Sequence, residues 1–246
     1  MEIYTTTMTS KIITKTILAI ATLSLSQSTS LHAQDNSGAQ KEMPAKALEE
    51  SYVNPSLRGT ILHDDYDALV MCKEKALDIL STLGDSDYGI KNRKAVKKLL
   101  SQEEQEISLE DLHGHHRVRS IQVNNSGIFI YPFFACRFTE KDGKPFFEKT
   151  AGSQRKSGFI YANKPTSMIF LGGWSVNDEP QTEYGSLNSV AGTLYKINEN
   201  KLIMLFVRPY RDFEIYEFTK QQADQPSHFH RLANSRAKGV TLPHKR

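Results

Sequence analysis

The sequence predicts an α+β fold: an N-terminal helical segment followed by an antiparallel β meander that forms a barrel or a strongly curved sheet. Three observations carry this. Between residues 64 and 102 apolar residues recur at steps of three and four, the period of one helix face. From His116 onward the period falls to two, and short apolar runs alternate with turn-forming residues. No strand–helix–strand alternation appears that would build a parallel sheet. About nine short strands result, and a meander of that length curls, with closure removing its edges.

Residues 1–33 read as a secretory signal. Lys11 and Lys15 precede a short apolar core from Ile17 to Leu25, and Leu31-His32-Ala33 offers cleavage before Gln34. That core is too short to span hydrocarbon, and no cysteine follows it for lipid attachment. The expectation is a periplasmic or secreted protein with no transmembrane span after cleavage. Residues 34–53 form a polar, flexible leader. Residues 54–218 are expected to be one globular domain, helical over 54–112 and β over 115–218. Residues 219–246 form a basic, disordered tail with six Lys or Arg against one acid, so the rest of the +3 chain carries −2. A mildly acidic body lacks the basic face that nucleic-acid binding requires.

Within the domain, Asn54-Pro55-Ser56 punctuates the start. Residues 64–82 form one helix with Tyr66, Leu69, Val70, Leu77 and Leu80 inward, capped by Asp64 or Asp65 and ended by Gly84. A second helix spans about residues 92–102, burying Val96, Leu99 and Leu100 and exposing Arg93, Lys94, Lys97 and Lys98 as a solvated face. Ser108 and Asp111 can cap a short turn. Strands are expected over 117–123, 128–138 (bent or split at Pro132), 146–150, 158–161, 167–171, 190–197, 202–207 and 213–218. Asp142-Gly143 marks a tight hairpin, because it supplies the positive φ such a turn needs. The many aromatics of these segments should fill the interior.

The stretch 149–161 is the most distinctive. It reads as a polar loop between two strand-like segments, with Ser153, Gln154 and Arg155 as candidate ligand-binding residues. Ser153 lacks the Gly-x-Ser-x-Gly setting and the following helix of a nucleophile elbow, so a turn hydrogen bond is its simpler role. Arg117 and Arg119 share one strand face and join the candidates, since converging guanidinium groups suit bidentate capture of a carboxylate or phosphate. Arg137 and Arg208 also lie on or beside strands. The competing reading puts the arginines on an outer face, paired with Glu148, Asp178, Glu183, Glu214 or Glu217. Trp174 and Tyr184, at the long connection 177–188, are placed to rim a ligand mouth. His113, His115 and His116 cluster, as do His228 and His230. Alternation divides the first group between two faces and no metalloprotease motif is present, so no metal and no cofactor is expected. Two cysteines, Cys72 and Cys136, suffice for one disulfide but not for a cysteine-built zinc site.

Seven segments follow one another in an order that resembles domain-of-unknown-function family 4893, a group of small exported bacterial proteins. They are Gly114-x-His116-Arg117-Val118-Arg119, Tyr131-Pro132-x-Phe134-x-Cys136-Arg137-Phe138, Thr150-Ala151-Gly152-Ser153-Gln154-Arg155-x-x-Gly158, Phe170-Leu171-Gly172, Tyr184-Gly185, Ala191-Gly192-x-Leu194 and Phe213-Glu214-Ile215-x-Glu217-Phe218. They cover about residues 114–218. The family implies export but no activity. Its pattern places a cysteine where this chain has Val118, and a tyrosine where it has His116. The bridge from that cysteine to the position of Cys136 therefore cannot form here. Cys136 is then either free and buried or paired with Cys72.

The functional expectation is a non-catalytic exported module that binds a small acidic ligand or an envelope protein. The alternative is a hydrolase using residues 153–155.

Overall fold

The computed structural model describes residues 52–208 and 212–221. The expected signal and leader up to residue 51, and the expected tail from residue 222, lie outside the described residues. Tyr52 and Val53, assigned to the leader by sequence, already belong to the packed body, with Val53 fully buried. Asn54 then holds a 3-10 turn over Pro55–Leu57 by accepting from the Ser56 amide at 3.0 Å.

The single helix expected over 64–82 is two helices, α1 (His63–Leu69) and α2 (Cys72–Thr82). Met71 takes a left-handed conformation, φ 55°, between them. The break follows the curvature of the surface beneath. Tyr66 and Leu69 of α1 pack with Ile169, Leu171 and Ala191, whereas Cys72, Ala76 and Leu80 of α2 pack with Ile203, Leu205 and Ile215. One straight rod cannot lie on both patches of a curved wall. The third helix, α3 (Arg93–Leu100), buries Val96, Leu99 and Leu100 as expected from its period. A 3-10 turn over Leu109–Leu112 carries a capping box between Ser108 and Asp111.

Nine strands follow among the described residues: β1 (His116–Asn124), β2 (Gly127–Ile130), β3 (Phe134–Lys141), β4 (Lys144–Lys149), β5 (Gln154–Lys164), β6 (Ser167–Val176), β7 (Ser189–Asn198), β8 (Lys201–Arg208) and β9 (Asp212–Lys220). They run antiparallel in sequence order, and β1 pairs with β9 from His116↔Lys220 to Val123↔Phe213. Eight strands thus close a barrel, as predicted, and β2 is added beside it. Pro132 splits the 128–138 stretch. β3 holds the start of β1 through Arg117 and Val118, and β2 holds its end from Ile121 to Asn124. At the β3–β4 hairpin, Asp142 and Gly143 have φ of 53° and 70°, the two positive values of the predicted turn.

The predicted loop 149–161 shrinks to four residues, 150–153, because β5 begins at Gln154. Gln154 pairs with Val176 and the ladder continues through Gly158↔Gly172. Likewise Gly172, Gly173 and Trp174 continue β6 instead of ending it. The glycines permit a tightly coiled wall. A Cβ on Gly172 would lie 2.6 Å from the Phe170 ring, and one on Gly192 2.7 Å from the Phe206 ring.

The core has an inner and an outer part. Inside the barrel, Val118, Phe147, Phe170, Leu194, Met204, Phe206, Tyr216 and Phe218 interdigitate, with Phe147 edge-on to Phe218 at 5.3 Å. Outside, Ile121, Val123, Ile203, Leu205, Phe213 and Ile215 lie under α2 and α3. β8 and β9 are therefore covered on both faces, which explains the unbroken apolar run from Leu202 to Val207. Neither cysteine is bridged. Cys72 is buried beside the Tyr195 hydroxyl at 2.9 Å, and Cys136 is half-buried. No helix among the described residues is long and apolar enough to cross a membrane.

Candidate ligand site at the open end of the barrel

The two ends of the barrel differ in chemistry. At one end the segment 105–112 crosses the opening. Its Gln105 amide donates to Lys196 O at 2.8 Å, its Ile107 amide donates to Pro165 O at 2.9 Å, and Ile107 and Leu112 enter the inner core. At this end His116 is buried edge-on to Phe138 at 5.3 Å, and its Nδ1 has no hydrogen-bond partner among the described residues. Burial, with help from the charges of Lys220 and His115, pushes its pKa down to about 4.

The other end carries a polar layer. Strand alternation turns Ser120 and Gln122 of β1, Lys149 of β4, Gln154 and Lys156 of β5, Trp174 of β6, Arg208 of β8, and Glu214 and Tyr216 of β9 toward the interior. Register brings them together: Ser120 lies opposite Tyr216, Gln122 opposite Glu214, and Lys156 opposite Trp174. At its centre Lys156 Nζ stands 2.5 Å from Glu214 Oε2, with side chains only 5% and 4% exposed. Ser120 Oγ donates to Glu214 Oε1 at 2.5 Å, and an Arg208 nitrogen lies 3.9 Å from Glu214 Oε2. The Lys156 ammonium also sits over the rings of Tyr216 and Phe206, 4.7 and 4.9 Å from their centroids.

Charge in this layer is unbalanced. Burial would raise the Glu214 carboxyl, but the charge and hydrogen bond of Lys156, the Ser120 hydroxyl and Arg208 together hold it below its ordinary value. Lys149 has no carboxylate in salt-bridge reach among the described residues. It donates to Gln154 O at 2.5 Å and lies over Phe134 at 4.8 Å. Burial lowers its pKa, the neighbouring Lys156 charge lowers it further, and Glu214 opposes them. Two buried lysines thus share one buried carboxylate. Above them Arg208 is 55% exposed, with loose contacts of 3.7 Å to Asp212 and 3.9 Å to Glu214. A cavity of about 420 Å³ opens here, lined by Gln154, Lys156, Trp174, Val190 and Arg208 and by Asp64, Asp65 and Ala68 of α1. That volume lies within the range of roughly 300–1,000 Å³ typical of small-molecule sites.

Of the seven candidates read from sequence, Gln154, Arg155 and Trp174 line this cavity. Gln154 accepts a hydrogen bond from Gln122 Nε2 at 2.8 Å. Arg155 points outward from β5, donating to Gly152 O at 2.9 Å and approaching Asp178 at 3.7 Å. Ser153 is exposed in the short loop, and its carbonyl accepts from the Asn177 amide at 2.7 Å. Arg117 and Arg119 lie on the outer wall. Arg117 donates to Phe133 O at 2.6 Å, and Arg119 pairs with Glu217 at 2.6 Å. Tyr184 fastens the 177–188 connection to α1, donating to Asp65 Oδ2 at 2.7 Å and accepting from the Leu62 amide at 2.9 Å.

Sequence reasoning misses Lys149, Lys156, Ser120, Gln122 and Tyr216; it offers Arg208 as one of several arginines that either converge on a pocket or pair on an outer face, and Glu214 only as a pairing partner. One signal was present. In the last strand Glu214 and Glu217 have opposite parity, so one of them had to face inward with Tyr216 and Phe218. Among the described residues no group of three His, Cys, Asp or Glu is placed to hold a metal ion.

Fold and site define a small α+β barrel, covered on its outer wall by a helical flank and polar at its open end. The chain belongs to the family described as Domain of unknown function (DUF4893), whose model matches residues 58–246 and so includes the helical flank as well as the barrel. No curated protein and no solved structure matches it.

Proposed function

We propose that the protein is an exported, non-catalytic binding module that takes a small anionic ligand at the open end of its barrel. The observation that carries this is the cationic inner wall at the open end: among the described residues Lys149, Lys156 and the accessible Arg208 face a single buried carboxylate, Glu214, while the carboxylates Asp64 and Asp65 stand on the α1 side of the cavity. A guanidinium held loosely by its own neighbours can exchange them for a bidentate carboxylate or phosphate. Beneath it Lys149, with no carboxylate in salt-bridge reach among the described residues, adds positive potential from a desolvated layer where screening is weak, while Lys156 is balanced by Glu214. Export rests on the signal-like residues 1–33. The hydrolase alternative has no such support. The Ser153 hydroxyl has no bonded imidazole or carboxylate among the described residues, and Arg155 is engaged with Gly152 and Asp178.

Binding is tested with acetate and inorganic phosphate, reading the fluorescence of Trp174, the only tryptophan of the chain. A saturable change is expected in the wild type, weakened about tenfold or more in Arg208→Ala, the loss of one charge-assisted pair. No saturable response to either anion sinks the binding reading. Export is tested by expressing the full chain in a diderm bacterial host and measuring intact mass by compartment. A product beginning near Gln34 outside the cytoplasm is expected; an uncleaved cytoplasmic chain overturns export.

A further inference from the structure

Resting on the anion-binding reading above, we infer that the ligand joins a single anionic head to a flat ring, as an aromatic or heteroaromatic monocarboxylate does. The cavity has two chemical halves. One is the charged half, with Arg208 at the mouth and Lys156 below it. The other is apolar and carries Trp174, whose register opposite Lys156 turns it to the same inner face. Trp174 is 41% exposed, although its strand neighbours are buried. A large indole left open inside a concavity is an unfilled stacking surface, and ring-on-ring contact adds to simple burial. Val190 and Ala68 supply the aliphatic remainder of that half.

The rim restricts the number of charges. Asp64 and Asp65 of α1 line the same cavity on the side of the mouth. Asp65 is fixed by Tyr184, so its carboxylate is held in place. A second negative group extending outward would meet these carboxylates, which disfavours dicarboxylates and ligands with extended phosphate chains. One head fits the cationic half, and a ring projecting from it reaches Trp174.

The test compares acetate, benzoate, benzamide and phthalate on the full chain by Trp174 fluorescence, with calorimetry for a Trp174→Leu variant whose folding is checked by circular dichroism. Benzoate should bind about tenfold more tightly than acetate, a ratio ring stacking and burial can supply. That ratio should collapse in Trp174→Leu, and phthalate should bind more weakly than benzoate. If acetate binds and benzoate is no tighter, this inference fails while the anion-binding reading stands. A ratio unchanged in Trp174→Leu also overturns it, as does tighter binding of phthalate than benzoate. Benzamide equal to benzoate, or no binding of any probe, overturns the underlying anion site as well.

Discussion

Glu214→Gln should leave Lys156 buried without its carboxylate, 2.5 Å away in the wild type. Removing one partner of a buried pair costs about 3–5 kcal/mol, to be read as a lower urea midpoint. The double variant Lys156→Met/Glu214→Leu should recover most of that loss, because packed apolar groups replace both charges, yet it should lose anion binding. The pH dependence has a definite sign. The Glu214 carboxyl is held below its ordinary 4.5, so its stabilisation is present above that value and disappears as pH falls through the lower folded value. His116 acts in a different window. Its folded pKa of about 4 lies below its ordinary 6.5, so the unfolded chain binds the extra proton between them. Stability should therefore rise with pH across that window and be complete above it. His116→Phe keeps the ring contact with Phe138 and removes the unpartnered nitrogen. It should shrink the difference in unfolding free energy between pH 4.5 and 7.5 by roughly 2–3 kcal/mol relative to wild type.

Elements obey local period until the barrel intervenes. The helix over α3 and the hairpin at Asp142-Gly143 were legible, because amphipathic spacing and turn chemistry are properties of adjacent residues. The break at Met71 was not, since nothing in its own chemistry favours φ 55°; two separate patches of the wall impose it. β5 and β6 were read too short for the same kind of reason. Polar Gln154 and Lys156 and paired glycines look like loop, yet they are the inward residues of a wall that is polar at one end and tightly coiled. Gly192 tests this account. Its Ala variant would press Cβ to 2.7 Å from the Phe206 ring, which underlies Lys156 at 4.9 Å. A loss of about 1–3 kcal/mol is expected in thermal or urea unfolding, together with weaker anion binding.

For the whole molecule, the helical flank is part of the core. Ile203, Leu205 and Ile215 are fully buried on the outside of the barrel because α2 and α3 cover them. A chain beginning at residue 114 would keep every strand but uncover that apolar wall, a patch that soluble monomers rarely expose. It should aggregate on size-exclusion chromatography, whereas a chain beginning at residue 52 should remain monodisperse with a cooperative melt. The closing seam adds to this cooperativity. β1 and β9 are distant in sequence and pair along eight positions, so the barrel gains its last ladder only when the whole meander is in place.

By itself the sequence determined the class of fold, because the change of period at His116 and the turn residues act locally and survive any packing. It also determined the family, through short segments whose order is independent of register. Of the seven candidates it offers, Gln154, Arg155 and Trp174 line the cavity at the open end, while Ser153, Arg117, Arg119 and Tyr184 lie outside that lining. Only the tertiary structure decided which charges meet. Ser120, Lys149, Lys156, Arg208 and Glu214 come from five strands, and their convergence depends on inward parity and on the register of a closed barrel. Parity can be read along one strand, but register between distant strands is set by packing, so the cationic layer exists only once the barrel has closed.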